Sequence, residues 1–98
     1  MINALVGRYE NHEYDAGGKN TWHYVTLTYR HGLALEWRNR AGVTWTLTLT
    51  EDPTQLAVGK DCPYYRNGHT ICTVVYTSGG DCVAALLGPW NEQYDREN

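Results

Sequence analysis

VTWTLTLT, residues 43–50, sets threonine at every even position and a large apolar residue at every odd one. Side chains alternate across a strand, so one face of this ribbon carries Val43, Trp45, Leu47 and Leu49 and the other carries threonines. Two upstream runs, TWHYVTLTY (21–29) and LALEWRN (33–39), keep the same phase, with apolar residues at most odd positions. Period-two alternation dominates, and helical periodicity is weak before the final stretch of the chain. The expected fold is all-β.

The joints between these runs set the pairing. Arg30-His31-Gly32 and Arg40-Ala41-Gly42 each suit a three-residue hairpin loop that ends on a left-handed glycine. Such loops set Tyr29 opposite Leu33, Leu27 opposite Leu35 and Val25 opposite Trp37, then Trp37 opposite Trp45 and Leu35 opposite Leu47. All of these share one face, the expected core, whereas two-residue loops would mix the faces. The outer face then reads in rows: Tyr24–Arg38–Thr44, Thr26–Glu36–Thr46 and Thr28–Ala34–Thr48.

In the second half, the turn EDPTQ (51–55) precedes a short strand around Leu56 to Val58. Asn67-Gly68 predicts a type I′ hairpin that pairs Arg66 with His69, Tyr65 with Thr70 and Tyr64 with Ile71. TSGGD (77–81) predicts another turn, with Tyr76 facing Cys82 and Cys72 facing Leu86. The strands on either side of it are apolar on both faces and read as central. Beyond Pro89 a single helical turn or ordered tail is expected, anchored by Trp90 and Tyr94. With a further strand around Val6 to Tyr14, residues 1–98 read as a single β-domain. It is a small antiparallel meander of six to eight strands forming a barrel, with a two-sheet sandwich as the alternative. The hairpin order and the opening Gly7-Arg8-Tyr9 are similar to calycin barrels; a glycine with an aromatic two residues on is too common to define a family, and none is assigned.

Net charge is −3 and the only lysines are Lys19 and Lys60, which argues against a nucleic-acid partner. No run approaches the ~20 apolar residues of a membrane helix, and MINALVGRYE lacks the features of a secretory signal. The reading is a soluble chain of unknown localisation, with the cytoplasm favoured. Cys62, Cys72 and Cys82 are too few for a disulfide scaffold and contain no C-x-x-C. Cys72 and Cys82 read as buried packing, which leaves Cys62, beside Pro63, as the one weak nucleophile. The only serine, Ser78, sits in a glycine turn, and AGGKNT (16–21) lacks the phosphate-loop spacing. Glu10, His12, Glu13 and Asp15 do not converge at ligand spacing on a strand. No catalytic residue, metal or cofactor is assigned, and an enzyme is the less favoured class.

Four Trp and eight Tyr with no Phe point instead to surfaces that are half apolar and half hydrogen-bonding. Three such surfaces stand out. His23 and Asn39, read as facing partners beside Trp37 and Trp45, form the mouth of the inner face and suit a small molecule. Trp22, Tyr24 and Arg38 with the threonines form an outer platform for carbohydrate, or a flat face for a homo-oligomer. Tyr64, Tyr65, Arg66 and His69 crowd the Asn-Gly hairpin in the manner of a recognition loop. The leading expectation is a non-enzymatic binding module with an aromatic and polar surface, carbohydrate among its ligands. The alternatives are a structural or self-associating β-protein, and a small-ligand carrier or enzyme using the mouth.

Overall fold

The computed structural model describes residues 2–12, 24–66 and 68–97. A single helical turn, α1 (Ile2–Leu5), leads into eight strands: β1 (Gly7–Glu10), β2 (Tyr24–His31), β3 (Ala34–Asn39), β4 (Thr44–Leu49), β5 (Gln55–Val58), β6 (Ile71–Tyr76), β7 (Val83–Leu87) and β8 (Gln93–Arg96). Each pairs antiparallel with the next, and β8 returns to β1, so the meander closes into a barrel and the sandwich alternative is excluded. Closure leaves no open sheet edge. In this topology α1 and the β2–β3, β4–β5 and β6–β7 turns share one end, and the other four connections share the opposite end.

The core is the odd-position face expected for β2 to β4. Val25, Leu27, Leu35, Trp37, Trp45 and Leu47 are all fully buried. Trp37 pairs with Trp45 across the second hairpin, and their indoles stack at 5.1 Å between centroids with planes 16° apart. Gly42 takes the left-handed conformation this corner requires, at φ 84°. Asn39 and Val43 close the corner, the Asn39 N–H donating to the Val43 carbonyl at 3.0 Å.

The first hairpin differs from expectation. A bulge between Tyr29 and His31 carries β2 through to His31, leaving only Gly32 and Leu33 to turn the chain. Leu27 then faces Trp37, Val25 faces Asn39 and Tyr29 faces Leu35, a slip of two residues that preserves the inner face but changes every partner. Tyr29 and Leu33, expected inside, are 50% and 62% exposed, because the hairpin runs past the end of the barrel. A second bulge between Val75 and Tyr76 pairs Tyr76 with Val83 and Val74 with Leu86, displacing the expected Tyr76–Cys82 and Cys72–Leu86 pairs.

Both chain ends also depart from expectation. The tail read as a helical turn is β8, whose Tyr94 is fully buried and meets Trp37 edge-on at 5.2 Å. The seam it forms with β1 is short, only Tyr9–Arg96 and Glu10–Asp95. Arg96 reinforces it by donating to the carbonyls of Ala4 and Val6 and to the Tyr9 hydroxyl, which itself donates to the Leu5 carbonyl. A side chain at Gly7 would press on that guanidinium, so glycine leaves the room the clasp needs.

The Trp37–Trp45 stack fixes a first expectation. Trp45→Ala should cost about 3–5 kcal/mol of stability, as buried aromatic truncations do, while Leu33→Ala should stay within about 0.5 kcal/mol. Urea denaturation of the two variants beside the native chain measures both.

Candidate functional site

The long β5–β6 connection, 59–70, shapes the end of the barrel opposite α1. It does not form the expected hairpin arm. His69 N–H does donate to the Arg66 carbonyl, closing a tight turn, but Thr70 accepts from Val58 instead of pairing with Tyr65, and Ile71 faces Ala57 rather than Tyr64. The loop lies along the upper half of β4, where β5 has already ended. Thr46 N–H donates to both Asp61 carboxylate oxygens at 3.0 and 3.1 Å, the Thr46 hydroxyl donates to Asp61 at 2.8 Å, and Gly59 N–H donates to the Thr46 carbonyl. A Cβ at Gly59 would strike the Asp61 carboxylate. Arg30 completes the junction by donating to the Thr46 hydroxyl and to Glu36, with Asp61 3.7 Å away. Partial burial works against the Asp61 carboxylate, but the Thr46 donors and Arg30 hold its pKa below the ordinary value.

The outer threonine face is therefore partly structural. Thr46 holds the loop in place. The expected aromatic row does not assemble, because the β2 slip sets Thr26, not Tyr24, beside Arg38 and Thr44. Tyr24 lies instead against β1, with the Arg8 guanidinium 3.7 Å over its ring, and Arg38 approaches Glu36 at 3.6 Å. Trp22 and His23, like Glu13, Asp15 and the AGGKNT stretch, lie outside the described residues. Asn39 is paired with Val25 rather than with His23, and its Oδ1 accepts from Val43 N–H at 3.0 Å.

The structure brings together a different set. Anchored by Asp61, the loop buries Cys62 and lays Tyr64 edge-on against Trp45 at 6.1 Å. Tyr64 in turn meets Trp90 at 6.1 Å with planes 79° apart, and His69 lies 5.7 Å from Trp90. A continuous series of rings thus runs from the core, Tyr94–Trp37–Trp45, out to Tyr64, which is 37% exposed, and to half-buried Trp90. Tyr65 packs half-buried on the core and Arg66 is exposed beside it.

Glu92 completes this end. In the β7–β8 turn, Gly88 N–H donates to the Glu92 carbonyl and Asn91 takes a left-handed φ of 65°. The Glu92 side chain folds back into the space a Gly88 Cβ would fill and accepts weakly from Trp90 N–H at 3.4 Å. Burial raises its pKa above the ordinary carboxylate value. The Cys72 thiol, fully buried, is pushed up to about 12 by that burial and, secondarily, by the Glu92 charge. Trp37 Nε1, Asn39 Nδ2 and His69 Nδ1 are buried without a hydrogen-bond partner among the described residues. Among the described residues no three metal-ligating side chains cluster. His69 belongs to the cluster expected at the Asn-Gly turn and Trp90 was expected only as an anchor of the tail, whereas Glu92 lies in loop sequence whose periodicity carries no signal, the composition of GPWNE (88–92) being the only available hint.

The cysteine expectation holds for Cys72, which is buried, and is reversed for the other two. Cys62, read as the accessible thiol, is buried with its pKa raised by that burial, and Cys82, read as packing, is exposed. No family model, curated protein or solved structure matches the chain.

Two outcomes follow from this arrangement. A thiol reagent should modify one cysteine, Cys82, quickly in the native protein and all three after unfolding. Glu92→Gln should raise the melting temperature at pH 7. A carboxyl whose folded pKa lies above 4.5 costs stability as pH rises through the window from 4.5 to that folded value, and glutamine escapes this cost while keeping the acceptor for Trp90 N–H. Melting curves should converge below pH 4.5, where Glu92 is neutral in both folded and unfolded chains.

Proposed function

We propose that the protein is a binding module that takes a small polar ligand with a flat apolar side, in the first place a sugar ring, at the end of the barrel opposite α1. Tyr64 and Trp90 form the stacking corner, and Arg66 and His69 supply polar contacts at its rim. The observation that carries this reading is the series of ring contacts from the buried Trp37–Trp45 stack to the exposed Tyr64. It makes an aromatic surface rigid, so little rotamer freedom is lost when a ligand docks. The apolar face of a pyranose meets such rings while its hydroxyls need short polar partners. Self-association through the threonine face has less support, because Thr46 is engaged by Asp61 and Arg30.

Tryptophan fluorescence of the intact protein, titrated with a panel of mono- and oligosaccharides, tests the reading. A saturable change is expected with at least one sugar, lost in Trp90→Ala and in Tyr64→Ala with the fold retained by circular dichroism. Silence across the panel removes the carbohydrate reading. A response that survives Trp90→Ala moves the site elsewhere.

A further inference from the structure

We propose that the ligand of this site carries an ammonium group, which Glu92 receives beside Trp90 and Tyr64; the inference rests on the preceding reading that ligand docks at this aromatic corner. Glu92 is a half-buried acidic side chain folded over buried Gly88. Among the described residues no cation pairs with it: Arg8 pairs with Glu97, Arg30 with Glu36 and Asp61, and Arg38 with Glu36. The hydrogen bonds Glu92 accepts come from backbone N–H groups alone, its own and, at 3.4 Å, that of Trp90. A half-buried carboxylate in that position is under-compensated, and an arriving cation restores what burial removes.

The rings make the same demand. Tyr64 and Trp90 meet at 79° and Trp45 and Tyr64 at 87°, so the ring surfaces at this end face in perpendicular directions rather than forming one flat wall. Aromatic faces attract cations through their quadrupole, and an acidic group beside them adds charge selectivity. Neutral sugar binding needs only the rings and the rim donors. The withdrawn carboxylate is left over from that requirement, and an amino group on the sugar frame uses it. The ligand class that satisfies both halves of the site is an amino sugar with a free amine.

The test compares glucose, glucosamine and N-acetylglucosamine on the intact protein at neutral pH, by calorimetry and by tryptophan fluorescence. Glucosamine should bind at least about tenfold more tightly than the other two, the scale of one charge-assisted contact. Glu92→Gln should remove the preference for glucosamine over glucose, and Trp90→Ala should weaken all three. Equal affinity for glucose and glucosamine in the native protein overturns the inference but leaves the sugar reading standing. Binding of choline or a simple alkylammonium with no sugar binding, lost in Glu92→Gln, supports the ammonium contact and removes the sugar frame. A glucosamine preference that persists in Glu92→Gln overturns the assignment of Glu92, and circular dichroism of the variant separates either result from misfolding.

Discussion

Eight short strands closed on themselves enclose a cylinder that only their own side chains can fill, and the stacked indoles of Trp37 and Trp45 fill its middle. Much else follows from that pair. The two residues sit opposite each other on β3 and β4, so their stack requires the β3–β4 register and the left-handed Gly42 that sets it. Tyr94 closes on the stack from β8, which ties the last strand to the same core and helps hold a seam only two residue pairs long. Tyr64 rests on it from the other side, so the surface loop takes its position from the interior.

The β3–β4 ribbon was legible from sequence because alternation and a glycine-ended corner specify the same register independently. The inward set of β2 was legible for the first reason only. Alternation fixes which side each residue faces, but a slip of two residues leaves the sides unchanged, so Val25 and Leu27 are buried as expected while each pairs with an unexpected partner. Arg30-His31-Gly32 offers two glycine-compatible solutions, and the bulge at Tyr29/His31 chooses the tighter turn. The Val75/Tyr76 bulge repeats the effect. Bulges answer to the twist and closure of the whole barrel, which no local window contains.

The candidate site was less legible for a related reason. Of the residues singled out, Trp37, Trp45 and Tyr64 do come into one cluster, whereas Tyr24 and Arg38 are separated by the β2 slip and engaged elsewhere. Asn67-Gly68 predicted a simple hairpin. Arg66 and His69 are hydrogen-bonded as that turn requires, yet the chain before them is drawn sideways to β4 by Asp61, whose anchoring role appears only when Gly59, Thr46 and Arg30 come close to it. Trp90 and Glu92 sit in a connection without periodicity, where sequence reports composition but not direction.

The two ends of the barrel handle their polar groups differently, and that asymmetry bears on where function lies. At the α1 end the half-buried polar groups are answered locally: Arg96 by two carbonyls and a phenol, and the Tyr76 hydroxyl by the Pro53 carbonyl at 2.6 Å. At the opposite end, among the described residues, Asn39 Nδ2 and His69 Nδ1 have no partner and half-buried Glu92 has no cation beside it. A fold selected for stability alone gains by replacing such groups, since each buried polar atom left without a partner costs about 1–3 kcal/mol. Their position next to rings held rigid from the core is consistent with the ligand corner proposed there.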